Sequence, residues 1–290
     1  MMISVVIASV KPELSQALRD NIEQTIGVPH EIWIHDNRHT QWGLCRLYNH
    51  YARLSQGRYI AFLHEDIHIY TSDWGRILVD FYGANPQAGV VGFAGSTLKT
   101  RTLSGWESTA ENSRMCLRQH IGKGHVQQIC CNVHGEDYAQ VLALDGFAFI
   151  VPRDVWQQHP YDEALLSAYN QYEIHFSLQV ALTHSNYVCF TIDVEHFSCG
   201  RFERRWYDDA LRLHRKWSDR LPWAIGACTA RDIRRAEARA AYMLARAELK
   251  HRWYRRSLAC IVRERLRPSL LTPWDSLYTL KLIKYLLRAL

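Results

Sequence analysis

Residues Arg58–Tyr70 read Arg-Tyr-Ile-Ala-Phe-Leu-His-Glu-Asp-Ile-His-Ile-Tyr. The apolar, partly β-branched run Tyr59–Leu63 predicts a buried strand that stops at His64-Glu65-Asp66 and resumes at Ile67. Two carboxylates and an imidazole then stand at a strand's carboxyl end, the edge where ligands bind in open α/β sheets. Adjacent hard oxygens there suit a divalent cation carrying a phosphate-bearing substrate. Taken without its surroundings, the same tripeptide also reads as a solvated turn.

The surroundings extend the pattern upstream. Ile3–Ser9 reads as a buried strand, Pro12–Thr25 as a helix with Leu14, Leu18 and Ile22 on one face, and Glu31–Ile34 as a second strand. Strand, helix and strand in so short a span predict a βαβ unit and a parallel sheet. Asp36 would then lie on the same sheet edge as His64–Asp66, where it serves either a base or ribose or a local Asx turn with Asn37. Gly43–Leu54 predicts the next helix and Trp74–Tyr82 another.

Downstream, Gly89–Phe93 is a small-residue strand, and Gly95–Glu136 keeps little periodicity, which predicts loops shaping a pocket. Val141–Val151 regains strand character with an interruption at Asp145-Gly146. Tyr172–Ala181 is helical with Glu173 near its start, where an acid suits either chemistry or the helix dipole. Tyr187–Ile192 predicts a strand leading to His196, and the chain after Arg201 reads as helical.

The 290 residues include 48% hydrophobic and 12% aromatic side chains, which excludes disorder. The eight cysteines show no CxxC spacing, no signal-peptide pattern opens the chain, and no apolar run reaches transmembrane length. These features predict a cytoplasmic protein with reduced thiols. Charge is uneven: Arg231–Leu290 holds 15 Lys/Arg against 5 Asp/Glu, a net of +10 that leaves −4 on the remainder. Trp253–Arg256 and Leu277–Leu290 mix aromatic, aliphatic and basic residues. The tail is therefore expected either to sit peripherally on an anionic membrane or to pack on the body or a second copy of the chain. Nucleic acid is not an expected partner, because no nucleic-acid motif accompanies the charge.

Taken in order, Asp36-Asn37, Leu47-Tyr48-Asn49, Gly57-Arg58-Tyr59, Phe62–Asp66, Trp74, Gly89–Ser96, Trp106, Leu144–Phe147, Tyr161-Asp162-Glu163, Tyr172-Glu173 and His196 form a set that resembles family 2-type nucleotide-sugar glycosyltransferases of the GT-A fold. More closely, it resembles the branch with His-Glu-Asp in place of Asp-x-Asp. The resemblance implies a Rossmann-like α/β fold with a mostly parallel sheet flanked by helices, over residues 1–200. Residues 201–290 would form a basic helical extension.

It also implies roles: Asp66 and His196 as ligands of Mn²⁺ or Mg²⁺; Asp36, His64 and Glu65 at a nucleoside-diphosphate sugar donor; Asp145, Gly146 and Trp106 at a glycan or lipid-linked acceptor; and Glu173 as the base of an inverting transfer in glycan or polysaccharide biosynthesis. The sequence departs from the family at Tyr172-Glu173-Ile174-His175, where Glu and His replace two aspartates. That departure keeps a non-catalytic sugar-nucleotide binder as an alternative. A sugar nucleotidyltransferase is disfavoured, because Ser9-Val10-Lys11-Pro12 lacks the expected glycine-rich loop.

Overall fold

The computed structural model describes residues 2–121, 124–198, 203–250 and 284. In chain order the strands are β1 (Ile3–Ser9), β2 (His30–Asp36), β3 (Tyr59–His64), β4 (Ile67–Ile69), β5 (Ala88–Gly92), β6 (Ala94–Ser96), β7 (Leu98–Lys99), β8 (Ser113–His120), β9 (Val126–Cys131), β10 (Tyr138–Val141), β11 (Ala143–Leu144), β12 (Ala148–Pro152), β13 (Ser185–Cys189), β14 (Val194–His196) and β15 (Trp223–Ala224). The helices are α1 (Pro12–Thr25), α2 (Asn37–Thr40), α3 (Leu44–Leu54), α4 (Trp74–Ala84), α5 (Arg153–Gln158), α6 (Tyr172–Val180), α7 (Arg204–Lys216) and α8 (Ala230–Lys250).

Seven strands form the main sheet in the order β10-β13-β5-β12-β3-β1-β2. Strand β3 is buried from Tyr59 to Leu63, where both its faces are covered. Its alternate residues enter two cores, Tyr59, Ala61 and Leu63 with α1 and α4, and Ile60 and Phe62 with α3 and α6. The sheet is mixed rather than mostly parallel. Pairs β1–β2, β1–β3 and β5–β13 are parallel, whereas β12 runs antiparallel to β3 and β5, and β10 to β13. An apolar run predicts a strand but not its direction, and the short link from β11 returns β12 beside β3 without a crossover helix.

This reversal positions the site. Because β12 is antiparallel, its start meets the end of β3, with Ala148 opposite Leu63 and the His64 N–H donating to the Phe147 carbonyl. Asp145-Gly146 therefore reaches the edge where β1, β2 and β3 end in register, Ala8 beside His64 and Ser9 beside Asp36.

The Gly95–Glu136 passage, expected as loops, instead builds much of a second sheet, β11-β6-β8-β14-β4, with β9 on β8. Its strands were illegible because β8 is partly buried on both faces and shows no clean alternation. Strand β14 brings His196 opposite both Ile67 and Gln119.

Helix α7 buries Leu213 against Ile174 and Leu178 of α6. Helix α8 buries Ala236, Ala240, Ala241, Leu244 and Ala245, and its Glu237 accepts from the backbone N–H groups of Arg101 and Thr102 at 2.6 and 2.9 Å. This part of the basic segment thus lies against the body. Trp253–Arg256 lies outside the described residues, as does Leu277–Leu290 apart from Lys284, which is helical and exposed. Among the described residues no helix is long and apolar enough to cross a membrane.

Candidate active site

His64, Asp66 and His196 converge, with one ligand atom of each within 4.8 Å of the others. Asp66 Oδ1 is 4.0 Å from His64 Nδ1 and 3.8 Å from His196 Nε2. The partners of the two rings set their tautomers. Tyr172 donates its hydroxyl proton to the Gly146 carbonyl at 2.9 Å, so it accepts from His64 Nε2–H at 2.8 Å and leaves Nδ1 as a bare lone pair. Gln119 spends its amide N–H groups on the carbonyls of His120, His196 and Ser198, so its Oε1 accepts from His196 Nδ1–H at 3.2 Å. His196 Nε2 is then also a lone pair, buried and without a hydrogen-bond partner. The ring itself stacks on Phe147, with centroids 4.7 Å apart.

Two imidazole lone pairs thus face one carboxylate with no proton among them, an arrangement that fits a cation. Bonds of about 2.1 Å to a shared ion would put ligand atoms roughly 3 to 4.2 Å apart, close to the spacing seen. Burial holds the His64 pKa below its usual value, so the bare nitrogen persists at neutral pH. Burial raises the Asp66 pKa, but the opposing influences on it, the Ser198 hydroxyl among them, outweigh burial and hold the carboxyl below its usual value. Of the two expected ions, Mn²⁺ suits this set better, because Mg²⁺ is the harder cation and prefers oxygen ligands.

Gln119, which holds the His196 ring in place, is a site contact that sequence reasoning missed. Replacing it with Leu should weaken divalent-ion affinity about 10- to 100-fold, the usual loss when a ligand's orienting partner is removed. Calorimetric Mn²⁺ titration checks this, and an unchanged affinity would contradict the assignment.

Glu65 turns away from this cluster. Its carboxylate accepts from Ser9 Oγ at 2.7 Å and from the N–H groups of Val10 and Lys11 at 3.1 and 2.9 Å. All three bonds go to Oε2, so Glu65 clamps the loop after β1 to the end of β3. Glu65→Ala should cost about 2–3 kcal/mol of stability, as expected for hydrogen bonds to a charged group. Urea unfolding with a loss below about 0.5 kcal/mol would contradict the clamp. Asp36 is about half exposed, caps α2 through the Arg38 N–H, and forms a bidentate pair with the Arg38 guanidinium. Hydrogen bonds from the Arg38 side chain hold its carboxyl well below the usual range.

Glu173 opens α6 and lines a cavity of about 320 Å³ together with His64, Trp106, Asp145, Gly146 and Tyr172. Gln171 before it sits at φ 64° with its amide buried and unpartnered, a strained position that sets the direction in which α6 starts. A Cβ on Gly146 would come within 2.4 Å of Tyr172 Oη and 2.8 Å of Glu173 Cβ, so glycine is what allows these groups to close up. Burial, followed by the nearby carboxylates of Asp145 and Asp209, pushes the Glu173 carboxyl up to about 8 against the opposing pull of backbone hydrogen bonding. Its Oε2 has no partner. Asp145 accepts from the Trp106 indole N–H at 2.5 Å and fixes that ring on the cavity. A neighbouring cavity of about 590 Å³ shares Trp106–Ser108 and Arg239 with the first and reaches Gln119.

His175, at the second departing motif position, faces the core. Its Nδ1 accepts from the Trp217 indole at 2.9 Å, and burial pushes its pKa down to about 4. Behind the cavity, fully buried Lys99 donates to the Ser104 carbonyl, Ser104 Oγ and His214 Nε2 at 3.1, 2.7 and 3.0 Å. The loop that carries Trp106 is thereby pinned at Ser104. Nothing in the sequence singled out Lys99.

A mixed α/β sheet with flanking helices that carries this cluster at its central edge defines a GT-A fold, and solved structures agree. One is the mannosyltransferase PcManGT from Pyrobaculum calidifontis, in complex with GDP-Man and Mn²⁺. It is similar at 14% identity with a TM-score of 0.50, over 99% of this chain and 85% of that one. Another is TarS residues 1–349 from S. aureus, at 12% identity and a TM-score of 0.50, over 100% of this chain and 81% of that one. The chain belongs to the glycosyltransferase-like family, whose pattern matches residues 5–216. No curated protein sequence matches it.

Proposed function

We propose that the chain is a metal-dependent, inverting glycosyltransferase of the His-Glu-Asp type that moves a sugar from a nucleoside diphosphate to an acceptor hydroxyl. The observation that carries this reading is the pair of imidazole lone pairs turned toward Asp66. It is supported by PcManGT, which was solved with GDP-Man and Mn²⁺. A divalent ion held by His64, Asp66 and His196 would supply positive charge to the donor diphosphate. On this reading residues 1–200 hold donor and chemistry, and the helical segment beyond them closes the acceptor side.

The chain's own residues account for the remaining steps. The Ser9–Lys11 loop and the Asp36–Arg38 pair stand at the strand ends where a nucleotide would lie. Glu173 takes the proton of the acceptor hydroxyl as its oxygen bonds to the anomeric carbon. The bond from that carbon to the diphosphate oxygen breaks, and its electron pair leaves with the nucleoside diphosphate. Asp145 and Trp106 position the acceptor, with the indole face as a platform for a sugar ring. A sugar-nucleotide binder that lacks chemistry was suggested by Glu173 and His175; the His175 ring lies on Trp217, while Glu173 lines the cavity beside Asp145, which favours the enzyme reading.

Release of nucleoside diphosphate from a panel of nucleotide sugars, with Mn²⁺ and with chelator, tests the proposal. Turnover confined to Mn²⁺ is expected, and equal turnover in chelator would overturn it. Because Glu173 must be ionised to act and its carboxyl sits near 8, the rate should climb as pH rises from about 6 to 9. A rate already flat above pH 5 would remove Glu173 from the base role.

A further inference from the structure

The acceptor cavity is lined by two unlike sets of groups. Glu173, Asp145, His64 and Asn170 supply hydrogen-bonding groups. Helix α8 contributes Ala236, Arg239, Ala240, Met243, Leu244 and Ala247. The five apolar residues recur at the spacing of a single helix face. Arg239 is the polar member of this set, and its guanidinium is already engaged by the Ser108 carbonyl and the Glu107 carboxylate. Leu103 and Trp206 continue the apolar lining. Met243 is 42% exposed, a large apolar side chain left partly in water on a cavity wall.

A sugar hydroxyl pressed against this wall would give up water and receive no hydrogen bond in exchange. An alkyl chain would lose nothing and gain burial. Both sets line one cavity, so a molecule that presents its hydroxyl to Glu173 has the α8 residues within the same enclosure.

Resting on the glycosyltransferase reading above, we infer that the acceptor is an amphiphile: a hydroxyl or sugar head at Glu173 and Asp145, joined to an aliphatic chain that lies along Ala240, Met243 and Leu244 of α8. The wall selects for that chain by burying it, while the polar set orients the head. A purely polar acceptor such as a free oligosaccharide would leave the α8 wall unused.

The test is calorimetric binding of n-alkyl β-glucosides and β-galactosides, methyl through octyl and below their micelle concentrations, to the full chain. Affinity should rise about three- to fourfold per methylene over the first several carbons with at least one head group, then level off as the wall is filled. Ala240→Trp should flatten the series by filling the wall. Met243→Gln, at a position exposed enough to tolerate the change, should reduce the gain of the octyl over the butyl compound by threefold or more.

A series flat within twofold for both heads overturns the inference, and so does an unchanged climb in both variants. Donor turnover by the wild-type protein with Mn²⁺ keeps the two claims apart. Turnover with a flat series sinks the amphiphile alone. A climbing, variant-sensitive series in a protein that turns over no donor supports the apolar site and sinks the enzyme reading.

Discussion

Glu173→Gln is expected to lower the rate of sugar transfer by about two to four orders of magnitude, the range that a positioned general base supplies, while donor affinity stays within about twofold. The side chains match in shape, so the cavity and its contacts with Gly146 and Tyr172 are retained. What is lost is the ability to accept a proton. Burial already penalises the charged carboxylate, so the neutral amide should leave the fold no less stable above neutral pH. Measuring kcat together with donor Kd separates chemistry from binding. A variant that keeps more than a third of the wild-type rate would show that another group takes the proton.

Asp66→Asn is the second large effect. The amide is neutral and nearly isosteric, but it puts a carbonyl or an NH₂ group where a carboxylate faces two imidazole lone pairs. Removing an orienting partner of a metal ligand costs about 10- to 100-fold in affinity, so removing the charged ligand itself should cost more than about 100-fold. Transfer at limiting Mn²⁺ should fall at least as far. The protein should remain folded, because the apolar strand Tyr59–Leu63 and its two cores do not depend on this carboxylate. Circular dichroism and thermal unfolding check that point alongside the Mn²⁺ titration.

The sequence made β3 and its terminal acids legible, since a fully apolar run that stops at His-Glu-Asp leaves few alternatives. It also holds a clue to Glu65. Successive side chains on an extended segment point to opposite sides, so His64 and Asp66 share a side and Glu65 takes the other, where Ser9 and the Val10 and Lys11 N–H groups meet it. His175 follows similar logic on a helix, because two residues turn the chain by about 200° and carry it from the Glu173 cavity to Trp217. Asp36 was ambiguous between ligand and turn, and locally it makes a cap and an arginine pair.

Other features were hidden for physical reasons. Gln119 lies on a strand with no clean alternation, and its importance comes from a pairing with β14 that joins residues 77 positions apart. The antiparallel course of β12, which delivers Asp145-Gly146 to His64, is a fact of connectivity that hydrophobic periodicity does not encode. The charge of α8 left membrane docking and packing equally open, and its Ala236, Ala240, Ala241, Leu244 and Ala245 are buried against the body.

In the proposed function His64, Asp66 and His196 hold a divalent ion that carries the donor's diphosphate. Its most direct test is calorimetric binding of UDP and GDP to the wild-type protein and to Asp66→Asn, each with Mn²⁺ and with chelator. Wild-type protein should bind at least one of the two nucleotides more than tenfold tighter with Mn²⁺, and Asp66→Asn should lose this difference. Equal binding by the wild type with and without Mn²⁺, or an Mn²⁺ effect that survives in Asp66→Asn, would contradict it.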